Sequence, residues 1–431
     1  MSIAESPQQE QIIVREVVEP PVSTRRRVTT GSLLVVAGLL AVLAFGVGAD
    51  KGSAVFGLNA ASDTPFDVTV PAGLTAGLLG LVVVALGVYQ LVRGFPRRQT
   101  RWVVAGALVS LVVAFLCWAA SAGSTVQITG LLQQSILSAV PLVLGALGGI
   151  LCERSGVINV AIEGQMLSGA FAGALFASVA HNLGVGVLAA VLAGGLVGAL
   201  LAVFAIRYLV NQVILGVVIN LLALGLTGFI YDALMQPHAD QYNSPGVFSA
   251  VPIPLLGDIP VVGPVLFQAN VLVYATYVLV VVVNVALFRT RWGLRTRAVG
   301  EHPKAADTVG IKVLRIRFVD TVLGGCVAGF AGAYLTLGAV GAFGKNMTSG
   351  RGFIALAAVI FGRWSPNGAV GAALLFGFAD ALQTGLTIIQ APVQIPSNFL
   401  AMAPYLATLF VVAGLGGRVR APAADGEPYV K

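Results

Sequence analysis

Residues 151–166 read LCERSGVINVAIEGQM, a short polar segment set between long apolar stretches. Glu153, Arg154 and Glu163 stand out there, because only 10% of the 431 residues are charged while 57% are hydrophobic and 53 are glycine. A water-soluble domain of ordinary composition carries about a quarter charged residues. Taken as the turn between two apolar helices, the segment makes one hairpin of a larger set. Apolar runs of about 18 residues or more recur along the chain, each long enough to cross a bilayer. The fold class that follows is all-α: a polytopic transmembrane helix bundle. The glycines fit it, since small residues let membrane helices approach closely.

Within the turn, Ser155 and Gly156 break the first helix and Asn159 is placed to cap the second. Glu163 falls in the first turn of that second helix, where a carboxylate complements the positive end of the dipole. Glu153 and Arg154 are expected at the membrane interface, where charge costs little. Gly169 and Gly173 then form a GxxxG face for close packing. A well-capped hairpin accounts for each residue; a direct ligand role is the alternative.

Twelve spans are predicted, at approximately 31–49, 71–92, 102–121, 131–151, 160–181, 184–206, 212–234, 267–288, 318–342, 351–362, 367–389 and 397–416. With the N-terminus in the cytoplasm, all 25 basic residues except Lys51, Lys345 and Arg351 lie on the inner side, eight of them between 289 and 317. The opposite orientation inverts that ratio, so the positive-inside rule places both termini in the cytoplasm. The tenth span is short, a partial or tilted crossing; without it Arg363 and the basic C-terminal end move outside. Residues 1–30, polar and holding Pro20 and Pro21, are expected to be a disordered cytoplasmic tail. The Arg25–Arg27 run before the first span mimics a signal peptide, but the long polar lead and the later spans favour a retained anchor. The outer loop at 233–266 holds Pro237, Pro245, Pro252, Pro254, Pro260 and Pro264, which disfavours long helix.

Several constellations bear on chemistry. Cys117, Cys152 and Cys326 have neither zinc nor disulfide spacing and read as small core residues. His181 and His238 show no ligand spacing, so no metal site is expected. The fragment Gly344-Lys345-Asn346 lacks both the leading Gly, since position 339 is Ala, and the Ser/Thr that a phosphate-binding loop needs. Residues 301–310 read as a short helix, with Pro303 at its first position and Gly310 at its stop. Ala305, Ala306 and Val309 make a small apolar face; Lys304 and Asp307 keep the rest polar. Such a helix is either an interfacial loop helix or a knob for a partner's groove. Deep in the eleventh span, Asp380, Gln383, Thr384 and Thr387 share one face. That stripe serves interhelical hydrogen bonding or lines a route for solute. Asn220 and Thr227 form a weaker stripe in the seventh span.

ERSGVINVAIEGQM (153–166) strongly resembles the signature near the start of ABC-importer permeases of the nucleoside, simple-sugar and branched-chain amino acid group. RAVGEHPKAADTVGIKV (297–313) resembles that family's cytoplasmic loop, and SGRGFIALAAVIFGRWSPNGAVGAALLFGFADAL (349–382) its late membrane segment. The resemblance covers roughly 130–417, in the right order, with His302 in place of an expected Asn and Gln165 in place of Met. It makes Glu153, Arg154, Ser155, Gly156, Asn159, Glu163 and Gly164 a structural motif. It also implies that Glu301, Pro303, Lys304, Ala305, Ala306, Asp307 and Gly310 couple the chain to an ATPase subunit.

The resemblance implies a permease core at 126–417 with nine spans, preceded by a three-span extension at 31–125 and followed by a cytoplasmic tail at 418–431. It implies a non-enzymatic subunit in the cell membrane that alternates access for a neutral polar solute, nucleosides above sugars. ATP and magnesium would be bound by a separate ATPase. The other partners implied are a second permease chain forming a heterodimer, an extracytoplasmic solute-binding lipoprotein and membrane lipid; no nucleic acid is expected. Few ionisable groups in the spans, with amides and hydroxyls instead, suit a neutral solute. The rivals are an ion-coupled secondary transporter using Asp380 and a non-transporting scaffold.

Overall fold

The computed structural model describes residues 24–49, 52–58, 67–123, 125–388, 402 and 420–430, without the side chains of residues 25, 26, 97, 98 and 101. Fourteen α-helices are found among them: α1 (Thr24–Ala41), α2 (Ala72–Val92), α3 (Arg97–Ala119), α4 (Ile128–Glu153), α5 (Ile162–Ala180), α6 (Leu183–Ala202), α7 (Gln212–Ile230), α8 (Ala239–Tyr242), α9 (Val271–Arg289), α10 (Arg291–Glu301), α11 (Pro303–Thr308), α12 (Val313–Ala333), α13 (Arg351–Phe361) and α14 (Pro366–Ile388). Five short strands accompany them: β1 (Ser53–Gly57), β2 (Asp67–Pro71), β3 (Thr125–Gln127), β4 (Ala250–Pro252) and β5 (Gln268–Asn270).

Among the described residues, nine helical segments are long and apolar enough to cross a membrane. Eight lie near predicted spans in the first nine, and one is the eleventh. The fifth predicted span forms α5, but its start, Ile162-Glu163-Gly164-Gln165, dilutes the apolar run and keeps it out of the nine. The tenth forms only the 11-residue α13. The twelfth lies outside the described residues. Helix α1 begins at Thr24 rather than 31, so the arginine run belongs to a helix and not to the expected disordered tail. Between 233 and 266 the prolines do their expected work: among the described residues no long helix forms, and the segment holds the four-residue α8, strand β4, which pairs antiparallel with β5, and parts of two π-helical turns, Tyr231–Met235 and Gly263–Phe267.

The helices fall into two units. In the first, α1 and α2 pack through glycines spaced seven apart, Gly31 and Gly38 against Gly80 and Gly87. A Cβ on Gly38 would stand 2.7 Å from the Val84 nitrogen, and one on Gly80 2.9 Å from the Val42 nitrogen. No side chain fits between two backbones that close. Phe45, Phe115 and Trp118 cluster nearby, ring centroids 5.4–5.7 Å apart.

The second unit holds α4–α14 together with residues 55–58, whose strand β1 runs parallel to β3 with Val55 opposite Thr125. Thr129 donates to the Leu58 carbonyl at 2.6 Å. Helix α4 is its centre: 83% of its most apolar stretch is buried, against 22% for α7 at the periphery. Helix α12 packs on α4, α5 and α6 through Gly324, Gly325, Gly329 and Gly332. The Gly169 face meets Gly329 of α12, while Gly173 faces α6 at Ala190 and Gly186, so the GxxxG pair serves two neighbours. Side-chain caps start several helices: Asn182 on α6, Asn211 on α7, Asn270 on α9, Thr290 on α10 and His302 on α11.

Candidate functional site

The 151–166 segment grips the short helix α13 at both ends. At its start, the Glu163 carboxylate accepts from the Gly350 and Gly352 amides at 2.8 and 2.6 Å. Those amides are among the orphan donors of a helix N-terminus, where negative charge is favoured. Gly352 must lack a side chain, since a Cβ would stand 2.5 Å from the Glu163 backbone. At the far end of α13, the Trp364 indole N–H donates to the Glu153 carboxylate. Arg154 donates from Nε to the Trp364 carbonyl at 2.8 Å and from Nη2 to the Arg363 carbonyl at 3.4 Å. Arg363 and Trp364 both hold left-handed backbone angles, φ +54° and +51°. Non-glycine residues in that region are uncommon, and here side chains from the turn fix the carbonyls that follow them.

Two sequence expectations change. Glu153 is not an interfacial surface charge: it is 2% exposed, beneath Trp364. Asn159 does not cap α5; that position belongs to Ala161, without a side-chain bond. Chain 157–161 continues past Asn159 before the helix starts, because Ile158 N–H is held by Gln212 Oε1 at 2.7 Å. Buried Asn159 donates instead to Gln165 Oε1 at 3.0 Å and to the Cys152 sulfur. Glu163 does sit in the first turn of α5, but the N-terminus it caps is that of α13. Gly164 and Asn220 also meet: the Asn220 amide accepts from Gly164 N–H at 2.8 Å and donates to the Val160 carbonyl at 2.9 Å.

At the end of the bundle where α4 stops, the end of α10 lies against the α4–α5 turn, a Cβ on Gly300 standing 2.2 Å from the Arg154 carbonyl oxygen, and α11 follows it. Burial lowers the Arg154 pKa while the Glu301 charge supports it, and the guanidinium lies 5.6 Å from the Phe288 ring centroid. Buried Asp320 of α12 accepts from Thr296 of α10 at 2.9 Å. Helix α11 starts at Pro303, and His302 caps it, its Nδ1 accepting from Ala305 N–H at 3.1 Å. His302 thus takes the capping role open to an Asn. Gly310 at φ +83° ends the turn. The expected apolar face is split: Ala306 is 4% exposed and packs on Val299, Val313 and Tyr429, whereas Val309 is 74% exposed. Ala305, Lys304 and Glu301 are exposed as well, so the outward face of α11 is smaller and more polar than expected.

Asp380 is half-buried on α14, with Thr384 and Thr387 exposed. The two hydroxyls bond to carbonyls of their own helix, of Asp380 and Thr384, rather than across to another. Thr227 likewise bonds to Ala223 of its own helix. Lys345 of the rejected phosphate-loop fragment pairs with Asp232 at 2.6 Å and lies 5.9 Å from the Tyr231 ring. Sequence reasoning missed Trp364 and Gln212, whose partners are far along the chain. It also passed over Arg317 and Asp320, although charges at the start of an apolar helix are a signal of buried pairing.

Comparison with known proteins adds the family. Residues 131–413 match the model described as branched-chain amino acid transport system / permease component. The guanosine ABC transporter permease protein NupQ of Bacillus subtilis is 41% identical over 307 residues, 69% of this chain and 95% of that protein. The nucleoside ABC transporter permease protein NupC of Lactococcus lactis is 36% identical over 72% of this chain and 98% of its own length. The putative glucose ABC transporter permease protein TsgC13 of Haloferax volcanii is 37% identical over 59% of this chain and 77% of that protein. More distant relatives from the first two organisms, NupP and NupB, also match, so the relatives occur as permease pairs. No solved structure matches. Three separated motifs, a bundle of membrane-length helices and a match across most of the chain agree: this multi-pass membrane protein belongs to the branched-chain amino acid transport system permease component family and is an ABC transporter permease, a transport component rather than an enzyme.

Proposed function

We propose that the chain is the transmembrane subunit of an ATP-driven importer of nucleosides. The observation that carries this is the 41% identity to a guanosine permease across 95% of that protein. The similarity to a putative glucose permease favours a simple sugar as the second reading, over a shorter match. In this proposal the chain crosses the membrane twelve times with both ends in the cytoplasm, α13 being a partial crossing. Residues 31–125 are an extension, 126–417 the permease core and 418–431 a cytoplasmic segment. ATP and magnesium belong to a partner ATPase that docks on the outward face of α11. A second permease chain completes the path, and an extracytoplasmic binding lipoprotein delivers solute. Asp380, Gln383, Thr384 and Thr387 are offered as lining that path, the exposed hydroxyls supporting the choice. Asn220 is the weaker candidate, because both ends of its amide already hold the α5 start.

The test is uptake of labelled guanosine by proteoliposomes holding the assembled transporter. Uptake is expected to need internal ATP, to survive ionophores at constant ATP, and to be competed by unlabelled nucleosides but not by glucose. Competition by glucose alone would transfer the assignment to sugars. Loss of uptake with the ion gradients alone would transfer it to the ion-coupled rival and Asp380.

A further inference from the structure

We propose that segment 420–430 is a built-in strap that ties α11 to the α4–α5 turn, so that displacement of α11 is carried into the helices of the core. The proposal rests on the reading of α11 as the helix that the ATPase grips.

Helix α11 has six residues, too few to be stable alone. Short non-helical connections flank it, His302 on one side and left-handed Gly310 on the other. A push on such an element would dissipate in those connections unless something braces it. The strap provides the brace at four places. Ala424 N–H donates to the Gly300 carbonyl at 2.9 Å and Ala423 N–H to the Glu301 carboxylate at 3.3 Å, holding the α10–α11 junction. Tyr429 packs on Val299, Ala306 and Val313, and its hydroxyl hydrogen-bonds the Asp307 side chain. Gly426 N–H donates to the Gly156 carbonyl at 3.3 Å, reaching the α4–α5 turn. Arg317 of α12 donates to the carbonyls of Glu427 at 2.7 Å and Ala424 at 3.3 Å.

The fit is close on both sides. A Cβ on Gly156, at φ +92°, would stand 2.9 Å from the Ala424 carbonyl oxygen, and one on Gly426, at φ +77°, 2.6 Å from Ile158 Cδ1. The Asp425 carboxyl is half-buried near the Glu153 carboxylate, and burial lifts its pKa to about 7 against the pull of Arg317. What reaches the turn reaches the core, because Arg154 holds the α13–α14 loop and Gln212 of α7 holds Ile158.

The experiment uses the complete transporter, this chain with its ATPase and second permease, in proteoliposomes. In one variant residues 422–430 are replaced by Gly and Ser at equal length; in the other, Tyr429→Ala removes one anchor and leaves the strap otherwise intact. Three quantities are read: ATPase co-purification, ATP hydrolysis, and labelled guanosine taken up per ATP hydrolysed. Both variants are expected to keep the ATPase, while uptake per ATP falls about fivefold or more in the replacement, the low end of ordinary coupling between sites, and less in Tyr429→Ala. An unchanged ratio in Tyr429→Ala and the replacement overturns the strap. Loss of ATPase binding in the replacement also overturns it, since the segment would then only shape the docking surface. If Ala305→Trp in the otherwise natural chain leaves ATPase binding intact, the reading of α11 fails instead, whatever the strap variants do.

Discussion

Glu163 shows how a charge can be kept in an apolar bundle. It is buried, yet each carboxylate oxygen accepts an amide from the start of α13, and hydrogen bonds to charged groups contribute about 1.5–3 kcal/mol each. Glu163→Gln keeps the shape but turns one acceptor into a donor facing an amide. It should lower the melting temperature of the purified protein measurably, and Glu163→Ala, which strands both amides, should lower it further and cut folded yield. Gly352→Ala should resemble the alanine variant, because its methyl group meets the Glu163 backbone rather than a movable side-chain tip. Combining the two changes should therefore rescue nothing. Thermal unfolding with size-exclusion yield decides; a Glu163→Ala protein as stable as its parent would remove the clamp from the account. That Glu163 occupies a first helical turn was legible in the sequence. That it caps a different helix was not, since its partners lie 187 and 189 residues away and local spacing carries no such information. Glu153 and Trp364, 211 residues apart, escaped reading for the same reason.

Among the elements, α11 separates two roles that its sequence had merged. Pro303, the short length and Gly310 announced the helix and its limits, and periodicity grouped Ala305 with Ala306 on one apolar face. The six-residue helix is too short for periodicity to say which neighbour is inward; the packing of Val299, Val313 and Tyr429 around Ala306 decides it. The two alanines should now behave differently. Ala305→Trp, on the exposed side, should insert normally and lose ATPase association, because a bulky ring does not fit a groove shaped for a methyl group. Ala306→Trp, inward, should first lower folded yield, overpacking typically costing about 1–3 kcal/mol. Pull-down of the ATPase normalised to folded protein distinguishes the pair. Equal behaviour of the two variants would mean that the split face does not persist in the assembled transporter. The same limit of local reading appears in α1 and α2. Their glycines are visible as a seven-residue repeat, but nothing in the repeat names the partner helix that needs it.

At the scale of the molecule, hydropathy found the membrane helices because an apolar run of that length has few other uses. Where packing interrupts the run, at the polar start of α5 and in the half-length α13, the predicted spans at 160–181 and 351–362 still become helices, but they are less apolar or shorter than the rest. Orientation is a separate matter, which we propose is carried by charge. The region 289–317 holds eight basic residues, and positive charge near span ends is what retains a loop in the cytoplasm. This can be tested by removing residues 1–122. The three membrane-length segments lost are an odd number, so the new leading end must switch sides or the whole core must invert. If loop charge governs, Lys304→Cys in the shortened chain remains labelled by an impermeant maleimide only from the cytoplasmic side. Labelling from outside would show that the first three spans set the orientation of everything after them. The shortened chain should also fold in lower yield than one retaining 53–69. The cut removes the β1 partner of β3 and the Leu58 carbonyl that accepts from Thr129, leaving strand and hydroxyl groups unpaired at the start of the most buried helix in the core. Equal yields would mean that the β1 pairing is dispensable and that the core is self-sufficient from residue 123 onward.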